Sequence, residues 1–255
     1  MLQGKTGLIF GVANRRSIAW AIARALAGAG AQLAFTYQGE RLESGVRELA
    51  ATVNSPLVLP CDVTRDEELD RVFDAVGEQL GGLDILVHCV AFAAREDLDG
   101  RYVDTSRANF LMSLDISAYS LTAMAKRAEP LMERQGGGAI LTLTYLGGER
   151  AMPNYNVMGV AKAALDASVR YLASDLGPKN IRVNAISAGP LRTLAARSIT
   201  GFATMEEHYE KRAPLRRNVD ASEVGQTALF LCSPMAAGIT GEVLFVDAGY
   251  HIMGF

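Results

Sequence analysis

The chain has 255 residues, 49% of them apolar and 21% charged, and its 25 Lys and Arg against 28 Asp and Glu leave a net charge of −3. This balance excludes a disordered, fibrous or strongly basic nucleic-acid-binding protein, and the length suits one large α/β domain. Cys61, Cys89 and Cys232 form no CxxC pair and sit in apolar runs, no uncharged apolar run reaches the ~18 residues of a membrane span, and the first residues lack a signal-peptide h-region, so a reducing, cytoplasmic location without membrane association is expected.

Seven short apolar runs recur along the chain. They begin at Thr6 (TGLIFGV), Ala31 (AQLAFTY), Pro56 (PLVLPC), Leu83 (LDILVHCV), Gly138 (GAILTLTY), Ile181 (IRVNAIS) and Glu242 (EVLFVDA). They are continuous rather than alternating, which predicts strands covered on both faces, and segments of helical period lie between them. Among these are SIAWAIARALAGAG, DEELDRVFDAVGEQL and AKAALDASVRYLASDL, the second opening with Thr64 and Glu67 at capping-box spacing. No linker or repeat interrupts the pattern. It predicts a single α/β domain over residues 1–255, doubly wound, with a seven-stranded parallel sheet, helices on both faces, and a ligand at the carboxyl ends of the strands where their order reverses.

The first run ends in Gly11-Val12-Ala13-Asn14-Arg15-Arg16-Ser17 and then a helix, the outline of a pyrophosphate site with only Gly11 left of a G-x-G-x-x-G pattern. Ser17 either caps that helix alone or also offers its hydroxyl to a phosphate, and Arg15 and Arg16 read as solvated charges. After the second run, Gln38 stands where an acid would take ribose hydroxyls or a base a 2′-phosphate. With Glu40 nearby it favours NADH over NADPH, although Arg41 pulls the other way. Asp62 and Val63 follow the third run, where the carboxylate either accepts from an adenine amino group or starts the turn before the next helix. The fourth run leads into His88-Cys89-Val90-Ala91-Phe92-Ala93, small residues where backbone must approach a cofactor. His88 reads as a packed histidine, and without His or Cys at ligand spacing no metal is expected.

Tyr145 ends the fifth run, and Tyr155 opens the next helical segment seven residues before Lys162. Seven helical steps turn through about 700°, so Tyr155 and Lys162 share one face. Such a pair is either packing and solvent, or a cation that binds ribose hydroxyls and lowers the pKa of a phenol able to stabilise an oxyanion. Tyr145 is then a second polar group or an aromatic wall. Residues 191–211 break the strand–helix rhythm, and their Leu194, Ile199, Phe202 and Met205 either line an apolar substrate beneath a lid or pack a surface helix. Around this segment Arg192, Arg197, Lys211, Arg212, Arg216 and Arg217 make a candidate cationic rim for an acidic partner.

The one-glycine turn ending in Ser17-Ile18-Ala19, Tyr37-Gln38, Cys61-Asp62-Val63, Tyr145 ten residues before Tyr155, the six residues between Tyr155 and Lys162, the stretch Ile186–Ala195 and the late Gly238-Ile239-Thr240-Gly241 carry a resemblance. Together they resemble the bacterial enoyl-[acyl-carrier-protein] reductases of the short-chain dehydrogenase/reductase superfamily, over essentially the whole chain. Ordinary members of that superfamily have three residues between Tyr and Lys, a count that lands here on Gly159, so a ketone reductase is disfavoured. A non-catalytic dinucleotide-binding regulator would lack the Tyr155–Lys162 pair.

The resemblance implies a Rossmann-like fold, NADH as cofactor, and reduction of a trans-2-enoyl thioester on acyl carrier protein, the last reductive step of each fatty-acid elongation cycle. By it, Tyr155 would hydrogen-bond the enolate oxygen, Lys162 would hold the nicotinamide ribose, and Tyr145 would border the acyl chain and assist. Gly11, Ser17, Ile18, Gln38, Asp62, Val63, Val90, Leu191, Arg192, Thr193, Leu194 and Ala195 would complete the cofactor cleft, with Ala93 and Met158 at the substrate. It also implies a homotetramer. Ala91 stands where the family often has Gly.

Overall fold

In a strand buried on both faces, neighbouring side chains point to opposite sides, so every position must be apolar. The computed structural model describes residues 1–193 and 201–254 and has that arrangement. In β1 (Thr6–Phe10), Ile9 enters one core while Leu8 and Phe10 enter the other. The remaining strands are β2 (Gln32–Tyr37), β3 (Leu57–Pro60), β4 (Ile85–His88), β5 (Gly138–Thr144), β6 (Ile181–Ala188) and β7 (Val243–Val246), one at each predicted run, with β6 extending one residue past its run. All pair in parallel, in the order β3-β2-β1-β4-β5-β6-β7.

The α-helices are α1 (Ile18–Gly28), α2 (Glu40–Ala51), α3 (Asp66–Leu80), α4 (Arg107–Leu114), α5 (Ser120–Glu133), α6 (Asn156–Leu176), α7 (Phe202–Arg212) and α8 (Ala221–Cys232). On one face α1, α2 and α8 bury Ile22, Leu26, Val46, Leu49, Val224 and Leu231. On the other, α3, α5 and α6 bury Val72, Phe73, Leu121, Met124, Leu165 and Val169. This is the Rossmann-like doubly wound fold expected from the alternation. Its chain passes from β1 outward to β2 and later returns to β4 on the other side of β1, which leaves a crevice above the carboxyl ends of β1 and β4.

The predicted cap at α3 is displaced. Arg65 is the boundary residue without a side-chain cap; the Thr64 hydroxyl donates to Asp62 Oδ1 at 2.7 Å, and Glu68, rather than Glu67, reaches back to accept from the Asp62 amide at 2.7 Å. The reason is that the helix starts one residue later than the spacing assumes, with Arg65 at the boundary, and Thr64 belongs instead to the turn built on Asp62. A π-helical turn, Asp115–Tyr119, joins α4 to α5. Among the described residues no helix is long and apolar enough to cross a membrane.

Candidate active site

A cavity of about 420 Å³ opens at the crevice. The ends of the parallel strands supply Gly11 after β1, Cys89 to Ala93 after β4, Tyr145 after β5 and Gly189 to Leu191 after β6; α6 adds Met158 and Lys162, and α7 adds Phe202 and Met205. Of the residues singled out in the sequence, Gly11, Ser17, Ile18, Val90, Ala93, Tyr145, Tyr155, Met158, Lys162, Leu191 and Thr193 all line it. Gln38, Asp62 and Val63 do not; they stand beyond β2 and β3 along the same edge of the sheet. Leu194 and Ala195, with Arg197 and Ile199, lie outside the described residues.

Gly11 has φ +93°, and a Cβ there would collide with the carbonyl of Cys89 across the β1–β4 pair. Only glycine combines that backbone with that approach. Gly11→Ala is therefore expected to cost about 2–5 kcal/mol through strain and overpacking, read as a lower Tm together with weaker NADH binding. Ser17 differs from expectation. It precedes α1 but makes no side-chain cap, because its hydroxyl donates to the Asn14 carbonyl at 2.5 Å and accepts from the Ala13 and Asn14 amides at 3.4 Å. The hydroxyl braces the turn and leaves the first amides of α1 directed at the crevice.

Asp62 accepts from the Thr64 amide at 3.0 Å, so the turn reading of this residue holds. Partial burial opposes its ionisation, but hydrogen bonds from Thr64 and the Gln38 amide outweigh it and hold the carboxyl below the usual range. The edge of the sheet beyond β2 thus carries an anion.

Tyr155 is the residue before α6, and its step to Lys162 brings both side chains into the cavity. Its ring lies against the Gly147 backbone, where a Cβ would strike the ring, and edge-on to Tyr145 at 4.9 Å. Among the described residues the Tyr155 hydroxyl has no hydrogen-bond partner. Lys162 is buried, and its Nζ donates to the Leu143 carbonyl at 2.7 Å. Burial pulls Lys162 down to about 8, against the upward pull of Asp166 one turn further along α6. The expected lowering of the phenol by Lys162 is absent: burial, then Tyr145 and Asp166, raise Tyr155 above the usual phenol value. Desolvation exceeds any cationic assistance, so Tyr155 stays protonated throughout the physiological range.

Tyr145 is both wall and polar group. Its ring packs on Tyr155, and its hydroxyl lies 3.1 Å from that of Tyr209 and 3.3 Å from Met205 Sδ, both on α7. Leu98, Tyr155 and Met158 form a small apolar cluster with Ala93, Tyr145 and Met152. Sequence reasoning missed Leu98, which sits among charged residues without periodicity. It also missed Tyr209, although Phe202, Met205 and Tyr209 are spaced by three and four and so share a helix face.

His88 is a packed histidine: its ring nitrogens lie 2.8 Å from the Thr142 and Ser120 hydroxyls, and burial followed by the Lys162 charge pushes it down to about 3. The three cysteines are free thiols, and burial pushes each up to about 12. Among the described residues no group of three His, Cys, Asp or Glu side chains is placed to hold a metal. Half of the expected cationic rim is paired with carboxylates. Arg192 turns away from the cavity to pair with Glu206 at 2.9 Å, Lys211 pairs with Glu207 at 2.5 Å and Arg217 with Glu223 at 2.7 Å. Among the described residues Arg212 and Arg216 have no carboxylate at ion-pair distance.

A family model described as enoyl-(acyl carrier protein) reductase matches residues 11–251. The chain is 59% identical to the enoyl-[acyl-carrier-protein] reductase [NADH] FabI of Bacillus cereus, covering 100% of this chain and 99% of that one. It is 57% identical to the enoyl-[acyl-carrier-protein] reductase [NADH] FabI of a Nostoc species, over 99% and 98%. Among solved structures, the Bacillus cereus reductase with NADP+ and an indole naphthyridinone superposes with a TM-score of 0.97 at 59% identity, covering 100% and 99% of the two chains. The Anaplasma phagocytophilum enoyl-(acyl-carrier-protein) reductase in complex with NAD gives 0.96 at 51% identity, over 100% and 96%. With its glycine turn, its Tyr155–Lys162 pair and its second tyrosine gathered in one cavity of a doubly wound sheet, the chain belongs to the enoyl-(acyl carrier protein) reductase family.

Proposed function

We propose that this protein reduces the trans-2 double bond of an enoyl thioester carried by acyl carrier protein, with NADH as reductant, as the last reductive step of each fatty-acid elongation cycle. One observation carries the reading: Tyr145, Tyr155 and Lys162 line the same cavity as Gly11 and Ser17, so a phosphate-binding turn and a proton-bearing pair meet over one space. A dinucleotide fits the residues present, because the bare backbone of Gly11 lines the cavity beside the amino end of α1. Gly11, Ser17, Ile18, Val90, Leu191 and Thr193 would hold it, with Gln38, Asp62 and Val63 toward its adenosine end and residues 194 and 195 completing the cleft. The ionised Asp62 and nearby Glu40 repel a 2′-phosphate, which supports NADH over NADPH.

When bound, the reduced nicotinamide supplies a hydride to the β-carbon of the substrate. The chain's own residues do the rest. Tyr155 donates its hydrogen to the thioester oxygen, where negative charge develops only on the way to the transition state and a preplaced donor helps most. Lys162, fixed by the Leu143 carbonyl, uses its remaining hydrogens on the nicotinamide ribose. Ala93 and Met158 border the acyl chain, and α7, within a lid over approximately 191–211, closes it from water.

The protein assembles as a homotetramer in the cytoplasm. The support for assembly is the exposure of Leu111, Tyr119 and Tyr171 on the outer surface of α4, the π-helical turn and α6. The support for the compartment is the set of free thiols. Loss of NADH absorbance with a trans-2-enoyl thioester, beside NADPH and beside a 3-oxoacyl thioester, tests the activity. Turnover is expected with the enoyl substrate and NADH; turnover of the 3-oxoacyl thioester instead would reassign the reaction within the same fold.

A further inference from the structure

Tyr145 has one hydroxyl hydrogen and two neighbours on α7, Tyr209 Oη at 3.1 Å and Met205 Sδ at 3.3 Å. A thioether sulfur can only accept, and weakly. Tyr209 is 2% exposed and its hydroxyl has no other hydrogen-bond partner among the described residues, so its hydrogen must go to Tyr145 or be buried unpaired, which is costly. The polarity of the chain follows: Tyr209 donates to the Tyr145 oxygen, and the Tyr145 hydrogen rests on the sulfur of Met205. The Tyr209 ring is itself fixed by stacking on Tyr250 at 3.6 Å and 16°.

We infer that Tyr209 is a positioning residue for enoyl reduction, donating from α7 to the Tyr145 oxygen so that the Tyr145 hydrogen is directed into the cavity toward the substrate's carbonyl oxygen. This rests on the reading that Tyr145 faces the enoyl thioester. Met205 sulfur is a placeholder that a carbonyl oxygen, the stronger acceptor, displaces without leaving a strong hydrogen bond broken. Donation from Tyr209 also polarises the Tyr145 O–H, because hydrogen bonds in sequence strengthen one another in a low-dielectric site. Burial and the bond to Tyr145 both raise the Tyr209 phenol above its usual value, so it remains a donor over the working pH range. Packing α7 against Tyr145 therefore couples closure of the cavity to the orientation of a group inside it.

The test is a double-mutant cycle in the full-length protein, measuring kcat and KM with NADH and a trans-2-enoyl thioester for Tyr209→Phe, Tyr145→Phe and the pair. Tyr209→Phe keeps the stacked ring and is expected to lower kcat about 3–10-fold, the worth of one neutral hydrogen bond, with KM for NADH unchanged. In the Tyr145→Phe background that loss should vanish, a result that a purely structural role for Tyr209 would not give. An equal loss in both backgrounds, or none in either, overturns the inference while leaving Tyr145 in place. Wild-type kinetics for Tyr145→Phe would instead overturn the reading of Tyr145 and this inference with it. If Tyr209→Phe proves unstable, 3-fluorotyrosine at position 209 keeps ring and hydroxyl and makes a stronger donor; kcat at or above the wild-type value supports the inference, and a fall overturns it.

Discussion

Replacing Tyr155 by Phe is expected to lower enoyl-thioester turnover by about 10²–10³, the usual loss on removing one preplaced oxyanion donor, while the affinity for NADH stays unchanged. The asymmetry follows from the geometry. The Tyr155 ring is held by the Gly147 backbone and by Tyr145, contacts that Phe keeps, whereas the hydroxyl bonds to no protein group among the described residues. Removing it breaks nothing in the free protein, so Tm should hold or rise slightly. The loss should fall on kcat rather than KM, because the interaction strengthens only as charge develops on the thioester oxygen. Stopped-flow single turnover with NADH and the enoyl substrate reads the step directly; an unchanged rate would remove the phenol from the chemistry.

Lys162→Met is expected to act in opposite directions on binding and stability. Loss of a hydrogen bond from a cation to the ribose hydroxyls should weaken NADH about 10–100-fold, in line with the 1.5–3 kcal/mol typical of charged hydrogen bonds. The same change should stabilise the apoprotein. Burial lowers the folded pKa of Lys162 from 10.5 to about 8, so below pH 8 the folded state holds a buried ammonium at a penalty of about 3 kcal/mol. Between about pH 8 and 10.5 the unfolded chain binds the extra proton, and wild-type stability should rise with pH across that window. The Met variant should lack the rise and melt higher at neutral pH. In the wild type kcat/KM for NADH should fall as pH passes about 8 and the ammonium is lost, a limb absent from the variant. Fluorescence titration of NADH and melting curves from pH 6 to about 10 check both; a Met variant that binds NADH normally would deny Lys162 its anchoring part.

The strands were legible because a sheet covered on both sides writes itself as unbroken apolar runs, and all seven stand where those runs are. The Tyr155–Lys162 pair was legible because a seven-residue step is a property of the helix and survives any tertiary context. What failed were inferences about competition. Thr64 offers a capping hydroxyl, but the boundary falls at Arg65 and Thr64 joins the Asp62 turn; Ser17 stands at a helix boundary, but its oxygen accepts from the Ala13 and Asn14 amides behind it. The expected lowering of Tyr155 by Lys162 is absent because spacing reports direction along a helix and says nothing of burial, which decides the phenol's pKa. The rim of arginines and lysines was counted without the glutamates that the fold turns toward Arg192, Lys211 and Arg217. Tyr209 went unnoticed because its partner lies 64 residues away in sequence.

The thiol of Cys89 takes on a different meaning once the substrate is considered as an electrophile. An α,β-unsaturated thioester is a Michael acceptor, and a thiolate would add to the same β-carbon that receives the hydride. Cys89 lines the cavity, yet burial pushes its thiol up to about 12. At neutral pH the thiol therefore stays in its protonated, weakly nucleophilic form. A thiol kept un-ionised can therefore line the cavity beside an electrophilic substrate without competing with the hydride for the β-carbon.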